Sequence, residues 1–201
     1  MKFTPFIIDS YCVYPFRSST EIIHPDGRVK PGPNLPEPRA GHCQTSYEQT
    51  TFIIGGRRTS YGTRSVWKFD LNNLHAFPYD MPSMVYKRFG AACTVYNSSL
   101  HGGRPVLIVV GSGGWSSTAE ILDYTVANAS WQEIEELPVQ MYQPRMTPTS
   151  KGDNVIVTHE KSIYTLSTSG SKYSLTKMPQ ELSISRSAHV QVLVPASAIQ
   201  C

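Results

Sequence analysis

This chain of 201 residues has no apolar run longer than the five residues 106–110. That is far short of the roughly 20 needed to cross a bilayer as a helix, so no membrane partner is expected. Pro5 and Asp9 interrupt the apolar start of the chain and remove the uninterrupted core a secretion signal needs, which makes the cytoplasm the default compartment. Charge is sparse too, at 16% of residues with a net of +3. The basic residues form no stripe interleaved with stacking aromatics, and nucleic acid is therefore not expected as a partner. Nowhere do apolar residues keep the spacing of three and four that builds an amphipathic helix.

Catalytic and metal-binding signatures are equally scarce. The six histidines include no His-x-His or His-Glu-x-x-His spacing, and Gly-x-Ser-x-Gly is absent. Four cysteines occur, at 12, 43, 93 and 201, with no Cys-x-x-Cys, so neither a zinc site nor a redox motif is indicated. Gly55-Gly56 lacks the third glycine of a phosphate-binding turn and reads as a strand-end turn needing φ > 0. No cofactor, no metal and no enzymatic activity are expected. His159-Glu160 and Asp153 read as solvated loop positions.

What the chain does have is a block that returns four times: a Leu-Pro or Met-Pro pair, a short gap, then an arginine opening a strand-like run. Leu35-Pro36 leads to Arg39-Ala40-Gly41-His42, Met81-Pro82 to Arg88-Phe89-Gly90-Ala91, Leu137-Pro138 to Arg145-Met146-Thr147-Pro148, and Met178-Pro179 to Arg186-Ser187-Ala188-His189. Self-similarity at roughly 40 to 50 residues is the mark of a repeat whose units cannot bury their apolar face alone. Within a unit the apolar runs are short, β-branched or aromatic, and bounded by Gly, Asn, Asp and Pro. They predict four strands joined by tight turns.

An Arg-x-Gly-His opening, a hydrophobic strand ending in Gly-Gly, an aromatic-bearing strand and a closing Leu-Pro or Met-Pro resemble the kelch repeat. The stretch 38–82 carries Arg39, Gly41, His42, Gly55, Gly56 and Phe69, with Phe77 where Trp is usual. The stretch 87–138 keeps Arg88, Gly90, Tyr124 and Trp131, its glycines split as Gly111-Ser112-Gly113-Gly114 and residues 97–104 reading as a loop insertion. The stretch 142–179 is degenerate, with His159-Glu160 at the Gly-Gly position. The resemblance implies an all-β fold, a β-propeller of four-stranded blades. The ends are complementary: 1–37 lacks an opening Arg strand, and 186–194 is such a strand with little after it. The expected arrangement is a single domain of four blades, drawn from 1–37 with 184–201, 38–82, 83–138 and 139–183, and closed by the C-terminal strand pairing with the N-terminal blade; the competing reading is an open arc of a six- or seven-bladed propeller.

In such a fold Cys43 and Cys93 would be small buried residues on opening strands, while Cys12 and Cys201 would share a blade and could fasten it by a disulfide. One loop face would present Arg57, Arg58, Tyr61, Arg64, Tyr86, Trp115 and Tyr142, residue types enriched in protein interfaces. Two glycosylation sequons, beginning at Asn97 and Asn128, fall on the other face. The resemblance thus implies a non-catalytic scaffold that binds another protein through its loops. The alternative is a secreted propeller enzyme or carbohydrate-binding protein with its site at the channel mouth. Deleting residues 186–201 is expected to expose a strand edge and lower the melting temperature; an unchanged midpoint in a monomeric truncated chain would rule out closure by the tail.

Overall fold

A computed structural model describes residues 6–8, 16, 18–24, 26–73, 76–112, 116–134, 137–149, 151–169 and 172–186. The described residues form fourteen strands in four antiparallel sheets, with a single 3-10 turn at Ser99–His101. The chain divides into two compact units, Met1–Gly90 and Ala91–Cys201. In every sheet the strands follow one another in chain order as a meander, the arrangement that tight turns between short apolar runs dictate.

The first unit holds two sheets. One joins β1 (Phe6–Ile8), β2 (Glu21–Ile23) and β3 (Val29–Pro31). The turn between β2 and β3 is the expected Asp26-Gly27: Gly27 takes φ +82 and its N–H donates to the His24 carbonyl at 2.9 Å. The other joins β4 (Cys43–Tyr47), β5 (Thr50–Ile54), β6 (Val66–Asp70) and β7 (Tyr79–Asp80), the four strands expected within 38–82. Ile22, Leu35, Ile53, Trp67, Phe69 and Leu71 form the core of this unit. Phe77, at the position where the resemblance has Trp, is 88% exposed.

The second unit begins with β8 (Ala92–Ser98), β9 (Arg104–Val110), β10 (Ala119–Leu122) and β11 (Gln132–Glu133). Within the anticipated insertion at 97–104, Asn97, Ser98 and Arg104 belong to the flanking strands, Ser98 pairing with Arg104, and residues 99–103 form the loop between them, a 3-10 turn followed by Gly102 and Gly103. The central run Val106, Leu107, Ile108, Val109 and Val110 is wholly inaccessible, which is why it reads as continuous rather than alternating hydrophobic sequence.

The last sheet departs from expectation. It has three described strands, β12 (Arg145–Pro148), β13 (Val155–Ser169) and β14 (Lys172–Arg186), the last two 15 residues each. Without Gly-Gly to stop it, β13 runs on through His159-Glu160, and Glu160 itself adopts φ +53. Met178-Pro179 does not close a unit but lies inside β14. There the register shifts between the pairs Ser162–Glu181 and Tyr164–Lys177, and a bulge accommodates a proline that has no N–H for the ladder. Arg186 ends β14, paired with Glu160, instead of opening a strand. Residues 187–201 lie outside the described residues, as do Cys12 and Trp115.

Cys43 and Cys93 are corrected as well. Each is disulfide-bonded rather than a free thiol, Cys43 at the start of β4 and Cys93 in β8. At the end of β5, Gly55 and Gly56 take φ +65 and +94, as the turn reading requires. A Cβ on Gly55 would stand 2.6 Å from the Arg88 carbonyl oxygen. Gly55→Val is therefore expected to destabilise the fold by more than about 1 kcal/mol, read as a lowered urea midpoint; an unchanged midpoint would show that the turn tolerates a side chain.

Candidate functional site

Two loops of the first unit, 55–65 and 81–90, are laced together by their backbones. The first is a small hairpin. Arg57 bridges Gly62 and also Ala40, with the Arg57 N–H donating to the Ala40 carbonyl at 2.9 Å and the Ala40 N–H to the Arg57 carbonyl at 3.0 Å. The second loop lies along it: Met84 N–H donates to the Arg64 carbonyl at 2.9 Å, Arg88 N–H to that of Thr63 at 3.0 Å, and Gly56 N–H to that of Arg88 at 2.9 Å. Gly62 permits this approach, since a Cβ there would come within 2.8 Å of the Arg88 carbonyl carbon.

Beneath the hairpin lies Arg39, only 1% exposed. Its Nη1 donates to the Gly55 carbonyl at 2.7 Å, its Nη2 to the Ser65 hydroxyl at 2.9 Å, and its guanidinium sits 3.4 Å from the centroid of the Trp67 ring. The planar fork thus holds both ends of the loop while the aromatic face supplies negative potential where water is excluded. Burial pulls the guanidinium down to about 10; the Glu37 carboxylate, 3.8 Å away, opposes that and Arg58 adds to it. It stays charged at neutral pH. Arg88 is also 1% exposed, its guanidinium 5.8 Å from the Tyr86 ring centroid. Two of the recurring arginines are therefore internal braces.

What the loops present outward is different. Tyr61 is 76% exposed, Val85 44% and Tyr86 38%; Arg58, Arg64 and Lys87 are exposed around them. Arg58 pairs with Glu37 at 3.1 Å, and Arg64 Nη1 reaches the Val85 carbonyl at 3.4 Å. Arg57 is half-buried, its guanidinium 5.1 Å from the Phe89 ring. Residues 55–65 and 81–90 contain no Asp or Glu. The structure brings Arg57, Arg58, Tyr61, Arg64 and Tyr86 onto this one pair of loops. Tyr142 belongs to the second unit, half-buried, its N–H donating to His159 Nε2 at 3.1 Å.

That bond corrects the reading of His159: it is buried and, as an acceptor at Nε2, neutral. Burial lowers its pKa, with Glu160 opposing. Glu160 and Asp153 are exposed as expected, Asp153 accepting a bond from the Thr149 hydroxyl.

A cluster that motif spacing does not reveal lies in the second unit. Asp123 accepts from His101 Nδ1 at 3.1 Å, Arg104 Nη2 at 2.7 Å, and the Thr125 hydroxyl and N–H at 2.5 and 3.1 Å. Desolvation works to raise its pKa, but these bonds together hold it below the usual carboxylate range. The His101 ring stacks on Tyr173 at 6.4 Å, and the Tyr173 hydroxyl bonds to that of Ser98. Arg104 begins β9, while His101 and Asp123 sit in turns, so this is a charged clasp across strand ends. Among the described residues no group of three or more His, Cys, Asp or Glu is disposed to hold a metal ion. A cleft of about 530 Å³ lies in the first unit, lined by Ile22, His24, Lys30, Pro31, Phe77 and Pro78 among others.

No protein-family model matches the chain, and no curated protein matches it. Solved structures do. The structure of YjhT superposes with a TM-score of 0.64 at 12% identity, covering 79% of this chain and 52% of that one. A fungal alcohol oxidase of the AA5 family, in complex with copper, superposes with a TM-score of 0.54 at 15% identity, covering 72% of this chain and 33% of the oxidase. The chain thus spans about half of the first and a third of the second. At these identities the likeness is one of fold.

His42 underlies the same hairpin, its Cβ 3.0 Å from where a Gly56 Cβ would stand. Burial, and after it the Arg39 charge, depress its pKa from 6.5 to about 4. A histidine depressed by folding is protonated more readily when unfolded. Its contribution is therefore whole above pH 6.5 and declines as pH falls toward about 4. The melting temperature should fall across that window, and less steeply in His42→Gln; identical slopes would show that His42 is not the titrating group.

Proposed function

We propose that this chain is a protein-binding module built of kelch-like propeller blades, and that it captures its partner with the exposed loop pair of the first unit. The observation that carries this reading is the composition of a rigid, backbone-laced surface. Arg58, Arg64 and Lys87 ring the side chains of Tyr61, Val85 and Tyr86, and the loops supply no carboxylate. Tyrosine and arginine give large contact area at low entropic cost and dominate interface hot spots. The cations of these loops, of which Arg58 is paired with Glu37 from outside them, suit a partner with an acidic surface, and such complementarity raises the association rate and sets specificity. The surface pair Arg58–Glu37 costs little to open, because exposed ion pairs are weak. The four meander sheets and the likeness to YjhT support the blade reading.

A second reading, a secreted enzyme or carbohydrate-binding protein, draws support from the disulfide-bonded state of Cys43 and Cys93, which belongs to oxidising compartments. It would leave the loop pair without a role.

The test is capture by the intact chain. Arg58→Ala combined with Tyr61→Ala is expected to weaken binding of the captured partner by at least about 30-fold, as loss of roughly 2 kcal/mol at a hot spot implies. The melting temperature should hardly move, since both side chains are exposed. Raising the salt should weaken wild-type binding. Undiminished capture by the double variant would reject this surface.

A further inference from the structure

The two sequons are alike in sequence and unlike in structure. Asn128 stands at the tip of the turn between β10 and β11, exposed, with φ +58, flanked by exposed Ala127 and followed by exposed Ser130. Asparagine is among the few residues that accept this left-handed conformation at little cost. The turn is organised without the Asn128 side chain: Asp123 accepts the Thr125 N–H, Val126 N–H donates to the Asp123 carbonyl at 3.3 Å and Ala129 N–H to that of Val126 at 3.4 Å. The Asn128 amide is left to solvent on a preformed bend.

Asn97 lies inside strand β8, opposite Pro105, and its N–H donates to the Gly152 carbonyl at 2.6 Å. Its side-chain Oδ1 is buried. Ser98, the middle residue of its sequon, is wholly inaccessible and its hydroxyl bonds to Tyr173. Asn97 is half-buried, and its Nδ2, the atom that would carry a glycan, lies 3.5 Å from where a Cβ on Gly152 would stand, so a bulky glycan there would crowd the neighbouring backbone. The third observation is the disulfide-bonded state of Cys43 and Cys93, since the compartment that forms disulfides in secreted proteins also transfers N-linked glycans.

We propose that the chain passes through such an oxidising compartment and that Asn128, not Asn97, is its N-glycosylation site. The donor is an oligosaccharide linked to a polyprenyl diphosphate. The glycosyl C1–O bond to the diphosphate breaks as the Nδ2–C1 bond to Asn128 forms, polyprenyl diphosphate leaves with the bonding pair, and an Nδ2 proton passes to a base of the transferase. No redox change is involved. This inference is independent of the loop pair and its partner.

The full chain is expressed behind a cleavable secretion leader in a eukaryotic secretory host, and the secreted product is compared before and after enzymatic removal of N-glycans. Wild type is expected to lose the mass of a single glycan, mapped to Asn128 by peptide mass spectrometry. Asn128→Gln and Ser130→Ala should each abolish that shift. Ser99→Ala, which destroys the other sequon at an exposed residue without disturbing Asn97 or Ser98, should leave it whole. Secretion of unglycosylated wild-type protein, or a shift lost in Ser99→Ala and kept in Asn128→Gln, would overturn the assignment.

Discussion

The carbonyl of Arg88 comes to rest against the end of β5, and nearly everything in the first unit follows from that approach. It accepts the Gly56 N–H at 2.9 Å while occupying space that any side chain at Gly55 would need. The backbone there must be left-handed at two successive residues, which only glycine does cheaply. Once the carbonyl is seated, the loop 81–90 is held along the hairpin 55–65, and the side chain of Arg88 is carried inside. Arg39 closes the arrangement from below. A guanidinium so buried is tolerable because two of its N–H groups are bonded, one to a carbonyl and one to a hydroxyl, and its face is stacked on Trp67. Removing either partner would strand a charge in the core.

The same approach is repeated, and then relaxed, in the second unit. Gly111 has φ +71, and a Cβ there would lie 2.8 Å from the Met141 carbonyl oxygen, the counterpart of Arg88 against Gly55. One sheet later no glycine is available. Glu160 bears the left-handed conformation, His159 turns inward to accept the Tyr142 N–H, and β13 continues as a long strand. A buried neutral imidazole thus does in one place what close backbone contact does in the others. This is how a degenerate repeat keeps its neighbouring loop attached.

The proposed binding face is a by-product of this bracing. Because backbone bonds and buried arginines hold the loops, the outward side chains of Tyr61 and Arg58 lie exposed and carry none of that bracing. Rigidity of this kind reduces the entropy lost on binding. The charge asymmetry between exposed cations and absent carboxylates is local, and the net charge of +3 gives no hint of it.

The strands, their order and the glycine turns were legible in the chain because each depends on neighbours in sequence: apolar runs, the Asp26-Gly27 and Gly55-Gly56 turns, the recurring arginines. So was the placement of Arg57, Arg58, Tyr61, Arg64 and Tyr86 on one pair of neighbouring loops, since the repeat spacing puts one loop beside the next; Tyr142, expected with them, lies in the second unit. The 15-residue strands of the last sheet were not legible, because a bulge at Met178-Pro179 is set by pairing with a distant strand while the local pattern reads as a stop. Nor were the disulfides at Cys43 and Cys93, the Asp123 clasp with His101 and Arg104, or the difference between Asn97 and Asn128. Those depend on which side chains the folded sheets bring within a few ångströms of each other or leave to water, and residues far apart in the chain meet only when the backbone has closed.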